Sequence, residues 1–153
     1  MRNIALLIIS AILCSSLSPA HAQTSTNSRS IALDVRNFPS GGANGYTDVK
    51  ASNGKTYSYK YSGGEGKGGD VTFHVGTPAT VVVQLHSDSR YTINDVTFKD
   101  DTNSQLSYPN PNAGTTATIQ DKNTVAQQAQ YKVVVKDSTA NATVPCDPMI
   151  INH

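Results

Sequence analysis

Beyond residue 22, five side chains carry the donor atoms of transition-metal chemistry: His74, His86, Cys146, Met149 and His153. Two imidazoles, a thiolate and a weak axial thioether make a blue-copper centre. The order departs from that pattern, since such sites take Cys, then His, then Met from one loop, and here Met149 precedes His153. Spacing adds a second objection. If residues 71–75 and 80–85 pair as a hairpin about Gly76-Thr77-Pro78-Ala79, His74 falls near Val81 and His86 lies roughly 17 Å away at a strand rise of about 3.4 Å. One ion cannot bridge that distance, so the copper alternative reduces to Cys146, Met149 and His153 with one of His74 and His86.

The other reactive patterns are weaker. Cys146 as a nucleophile needs a neighbouring imidazole and an electropositive setting. Its neighbour is Asp147, and pairing with a second chain is the simpler use of an exported, unpaired thiol. Asp95, Asp100, Asp101 and Asn103 could chelate calcium through loop oxygens, but the D-x-[DN]-x-[DN]-G spacing is absent. The glycine-rich run 62–69 has Gly68 after Lys67 where a phosphate loop needs Ser or Thr, and it leads into a strand. No G-x-S-x-G elbow is present. The absence of a catalytic constellation points to a protein that is not an enzyme and holds no cofactor, copper being the alternative.

The elements that must position these residues begin after a leader. Arg2, the apolar run 4–13 and Ala20-His21-Ala22 spell a secretory signal peptide over residues 1–22, cut after Ala22. Cys14 offers a lipid-attachment alternative, disfavoured by Leu13 in the position before it. Removing 22 of the 153 residues leaves 131, the size of one domain. The mature product is expected in the periplasm or secreted, without a membrane span. Cleavage removes Arg2 from 12 basic residues against 11 acidic ones, so the mature chain is formally neutral and gives no sign of a nucleic-acid partner. It also removes Cys14, so no internal disulfide is available to the remaining Cys146.

Residues 23–29 are polar and aperiodic and read as a flexible leader to a single domain over 30–153. Thr80-Val81-Val82-Val83-Gln84-Leu85 is the most strongly strand-forming run and is expected at the centre, with Val81, Val83 and Leu85 inward. Ile31, Leu33 and Val35 alternate, as do Val71, Phe73 and Val75, and Tyr131, Val133 and Val135. The parity change between Ile93 and Val96 predicts a bulge. A helical turn is expected at 126–129. Tyr57, Tyr59 and Tyr61 share one strand face. That face is ordinary half-buried strand chemistry or an aromatic binding platform. With frequent turns between them, these segments predict an all-β fold, an antiparallel two-sheet β-sandwich, immunoglobulin-like or cupredoxin-like.

The segments Thr118-Ile119-Gln120-Asp121-Lys122-Asn123, Tyr131-Lys132-Val133-Val134-Val135-Lys136-Asp137 and Asp147-Pro148-Met149-Ile150-Ile151-Asn152 resemble the small bacterial DP-EP family, which ends in D-P-x-I-x-N. The resemblance covers roughly residues 80–152. It implies a single β-sandwich and carries no catalytic residues. The tail itself reads as a structural clasp ending at Asn152: Pro145 and Pro148 hold the chain extended, Ile150 and Ile151 dock as a last strand, and Asp147 accepts backbone N–H bonds. Function is then expected to be binding or assembly outside the cytoplasm, with an unidentified protein or glycan as partner. The surfaces expected to serve it are the loops 63–69 and 100–111 and the Tyr57/Tyr59/Tyr61 face. Free sheet edges add homo-oligomerisation to the expectations.

Overall fold

The structure, a computed structural model, describes residues 27–65, 68–109 and 114–153. The expected signal peptide lies outside the described residues. Among the described residues eleven strands follow in order: β1 (Asn27–Arg36), β2 (Thr47–Lys50), β3 (Thr56–Gly63), β4 (Val71–Phe73), β5 (Ala79–Leu85), β6 (Tyr91–Lys99), β7 (Leu106–Ser107), β8 (Thr116–Asp121), β9 (Gln127–Asp137), β10 (Ala142–Cys146) and β11 (Met149–Asn152). They make two sheets. One runs β2-β3-β1-β5-β8-β7. In the other, β9 pairs with β6 along one side and with β10 and then β11 along the other, and β4 lies outside β11.

The valine strand is where its composition predicts. β5 lies between β1 and β8, with Val81 and Val83 fully buried and Leu85 nearly so. Against this face pack Phe73, Ile93, Tyr131, Val133, Val135 and Ile150 of the second sheet, within one apolar core. The two-residue period places every second side chain there. The bulge in β6 is present as a register shift between Ile93 and Asp95.

The sandwich differs from the expected plan in four places. Its sheets are mixed, because β1 pairs parallel to β5 and β11 parallel to β4. β4 and β5 do not form a hairpin: both edges of β5 are taken by β1 and β8, so the chain crosses between sheets after β4. Strand β1 starts at Asn27, so the described end of the leader, 27–29, is strand paired with residues 79–81. Residues 127–129 are the start of β9 and not a helical turn; Ala129 is fully buried opposite Ile150. Several outer strands are short, β2 with four residues, β4 with three and β7 with two, which limits edge pairing.

Candidate functional site

The residues expected to bind copper do not converge on one point. Cys146 is fully buried and its thiol donates to the Val144 carbonyl at 3.8 Å. Burial, with the Asp147 charge beside it, pushes the thiol well above its ordinary range. On β9, Cys146 stands opposite Val133 and Asn152 opposite Gln127; six strand residues separate these registers by about 20 Å. That distance removes the Cys146–His153 pairing, and burial removes the expected disulfide between folded chains. Met149 pairs with Gln130 through the backbone, between the two registers. His86 follows the end of β5 in the other sheet, its ring 3.5 Å from Gln84 Oε1. His74 and His153 do meet, with ring centres 5.0 Å apart. Among the described residues no three His, Cys, Asp or Glu side chains form a metal-holding group. The calcium candidates are used as turn acceptors: Asp101 takes bonds from Gln105 N, Leu106 N and Gln127 Nε2, and Asp95 from Val96 N.

The tyrosine face is core. Tyr57, Tyr59 and Tyr61 are 1%, 9% and 3% exposed, so the expected contact platform is overturned. Their hydroxyls find partners in the opposite sheet and its tail. Tyr57 donates to Asp137 Oδ2 at 2.8 Å, Tyr61 donates to the Cys146 carbonyl at 3.2 Å, and Tyr59 accepts from Asp147 N at 3.3 Å. A ring buried with its hydroxyl satisfied carries a large apolar area across the core. The Asp147 carboxylate meets Lys132 Nζ at 3.6 Å in place of the expected backbone N–H groups. Pro148 accepts from Tyr131 N at 3.1 Å, and Ile150 and Asn152 are buried between β9 and β4.

A groove of about 370 Å³ opens at the far end of β1, lined by Arg36, Asn37, Phe38, His86, Asp88 and Arg90 among others. Its frame is a buttressed carboxylate. Asp34 accepts from Ser87 Oγ at 3.2 Å, from Tyr46 Oη and from Arg36 Nη2 at 3.3 Å, while Ser87 Oγ takes Val35 N at 2.7 Å. The Arg36 guanidinium lies 3.9 Å from the Tyr46 ring centre, a cation–π stack.

The loop that carries Phe38 is fixed as firmly. Asp48 accepts from the Ser40 hydroxyl and amide, both at 2.7 Å, and from Gly41 N at 2.9 Å. Those bonds, the Ser40 hydroxyl foremost, hold its carboxyl below the usual range. Left-handed Gly42, φ +79°, makes the turn. Ser58 Oγ pins the Phe38 carbonyl at 2.9 Å, leaving the ring 52% exposed. Across the groove, Arg90 makes a two-point ion pair with fully buried Asp137, and Arg90 N donates to Asp88.

No protein-family model and no curated protein matches this chain. The groove's own chemistry is therefore what describes it. It presents an aromatic face, an amide, an imidazole, a carboxylate and guanidinium edges on a rigid floor. A second cavity of about 510 Å³ at the other end of β5, near Pro78, Lys122 and Thr124, has no aromatic ring in its lining.

Of the groove residues the sequence marked only His86, and that as a copper ligand. Phe38 sits off any strand parity in Asn37-Phe38-Pro39-Ser40-Gly41-Gly42. An aromatic residue inside a Pro/Gly loop, where it has no core face to fill, was the available signal. No helix among the described residues is long and apolar enough to cross a membrane.

Proposed function

We propose that the protein is an exported, non-enzymatic β-sandwich that binds a glycan in the groove against Phe38. The observation that carries this is the half-exposed Phe38 ring on a backbone clamped by Ser58 and the Asp48 loop. A pre-fixed aromatic face loses little freedom on binding. Sugar rings offer C–H faces to such a ring, and their hydroxyls pair with planar amide, carboxylate and guanidinium groups like those of Asn37, Asp88 and Arg36. The neutral balance of the mature chain suits an uncharged ligand over nucleic acid. The Ser/His/Asp trio in the groove is wired for structure: Ser87 donates directly to Asp34, and the His86 ring faces Gln84. That arrangement supports binding over hydrolysis. Export rests on the leader over residues 1–22.

The test is an amide-shift titration of the labelled protein with cello- and chito-oligosaccharides, repeated on Phe38→Ala. Shifts centred on Asn37, Phe38 and His86 that vanish in the variant support the reading. Shifts elsewhere, or none with either sugar series, overturn it, as does capture of a protein on these residues in place of a glycan.

A further inference from the structure

We propose that His74 and His153 together form a binding site for one divalent transition-metal ion of the Cu(II), Ni(II) and Zn(II) group. β11 runs parallel to β4 with Ile150 opposite Val71 and Asn152 opposite Phe73. One step further along, His153 stands opposite His74. The backbone confirms the step, because His153 N donates to the Phe73 carbonyl at 3.0 Å and Val75 N donates to the His153 carbonyl at 3.1 Å. These two bonds bracket His74, which is itself held by Asn123 Nδ2 on its carbonyl at 2.7 Å. Both backbones are thus fixed before any ion arrives.

Phe73 and Asn152, the last residues of β4 and β11, are buried, and the residue that follows each is exposed, so both rings stand on the surface. The ring centres are 5.0 Å apart with planes at 81°. An imidazole nitrogen binds these ions at about 2.0–2.1 Å, which puts each ring centre roughly 3 Å from the ion and two neighbouring ligands' centres roughly 5 Å apart. The observed spacing matches that of two imidazoles on one ion. Among the described residues neither ring takes part in a hydrogen bond, so ligation displaces no partner.

Imidazole pairs suit Cu(II), Ni(II) and Zn(II), with Cu(II) tightest. No third His, Cys, Asp or Glu joins the pair among the described residues, so water fills the other positions and the ion exchanges. This site is separate from the thiol: Cys146 lies about 20 Å away along β9.

Calorimetric and EPR titration of the purified protein with Cu(II) tests the site, using His74→Ala, His153→Ala, His86→Ala and Cys146→Ser. The expected result is one saturable site whose affinity falls at least tenfold in His74→Ala and in His153→Ala and is unchanged in His86→Ala and Cys146→Ser. The EPR spectrum should show two nitrogen ligands in the wild type and one in either weakened variant. Both histidines are exposed, so unchanged thermal midpoints of the metal-free variants separate lost ligation from lost folding. No saturable binding, equal affinity in the four variants, or loss in Cys146→Ser or His86→Ala overturns the site.

Discussion

The Tyr57 hydroxyl donates to Asp137 Oδ2 at 2.8 Å, joining β3 of one sheet to the end of β9 in the other across 80 residues of sequence. Arg90 takes both oxygens of the same carboxylate, and the amides of Thr139 and Ala140 complete it. Burial pushes this carboxyl up, but the Arg90 bonds, the Ala140 N–H and the Tyr57 hydroxyl outweigh it and hold it at about 2. Asp137 therefore fixes the wall of the groove as well as the seam between the sheets.

That network sets the acid stability. A carboxyl depressed from 3.8 to about 2 favours the fold at pH above its ordinary range, and the benefit is lost as pH falls through 2. The contribution is on the order of 2 kcal/mol. Asp137→Asn should flatten the fall in urea midpoint between pH 4 and 2 and lower the midpoint at neutral pH, since it weakens the two-point pair with Arg90. Tyr57→Phe should cost about 1.5–3 kcal/mol, one bond to a charged group. A wild-type acid slope retained in Asp137→Asn would assign the effect to other carboxyls.

Asp121 should behave in the opposite sense. Burial raises its carboxyl, against the Asn123 N–H and the Asn152 amide, which lower it. A raised carboxyl favours the fold at low pH and loses that contribution as pH rises through its folded value. Asp121→Asn is expected to raise the thermal midpoint at pH 8 and not at pH 3. A lower midpoint at pH 8 would show that the ionised form holds the β8–β9 turn.

Gly69, in the run that resembles a phosphate loop, acts by packing. A Cβ on Gly69, whose φ is +81°, would lie 2.6 Å from Tyr61 Cγ, and the Gly69 carbonyl accepts the Tyr131 hydroxyl at 2.9 Å. Gly69→Ala should destabilise by about 3 kcal/mol or more, from left-handed strain plus overpacking against a buried ring. A denaturation midpoint within error of the wild type would contradict this.

Cys146 should be inert in the native state. Its thiol is buried and held neutral by desolvation, so an aromatic disulfide reagent should react only at the rate of opening and fully in denaturant. Cys146→Ser is expected to cost about 1–3 kcal/mol by placing a hydroxyl in an apolar site. Rapid native labelling would instead show that β10 frays from β9.

The fold was legible along most alternating runs, though Val75, on the parity of Val71 and Phe73, lies past the end of β4 and is exposed. Ile31-Leu33-Val35, Val81-Val83-Leu85 and Tyr131-Val133-Val135 face the core because alternate strand residues share a side, whatever the partner strand. The parity change at Ile93 was legible for the same reason. The tyrosines show the limit of parity: it gave Tyr57, Tyr59 and Tyr61 one face, but which face is covered depends on β9, β10 and the tail lying opposite. The groove was less legible still, since Ser87 reaches Asp34 across 53 residues.

By itself the sequence determined an all-β sandwich with a valine strand at its centre, because β-branched alternation and turn residues are local properties of the chain. Tertiary structure alone decided which edges paired. It placed β1 parallel to β5 and β11 parallel to β4, sent β4 and β5 to different sheets, and so separated Cys146 from His153 while setting His153 beside His74. Pairing is a competition among distant edges for the same hydrogen-bonding groups, and no local pattern encodes its outcome.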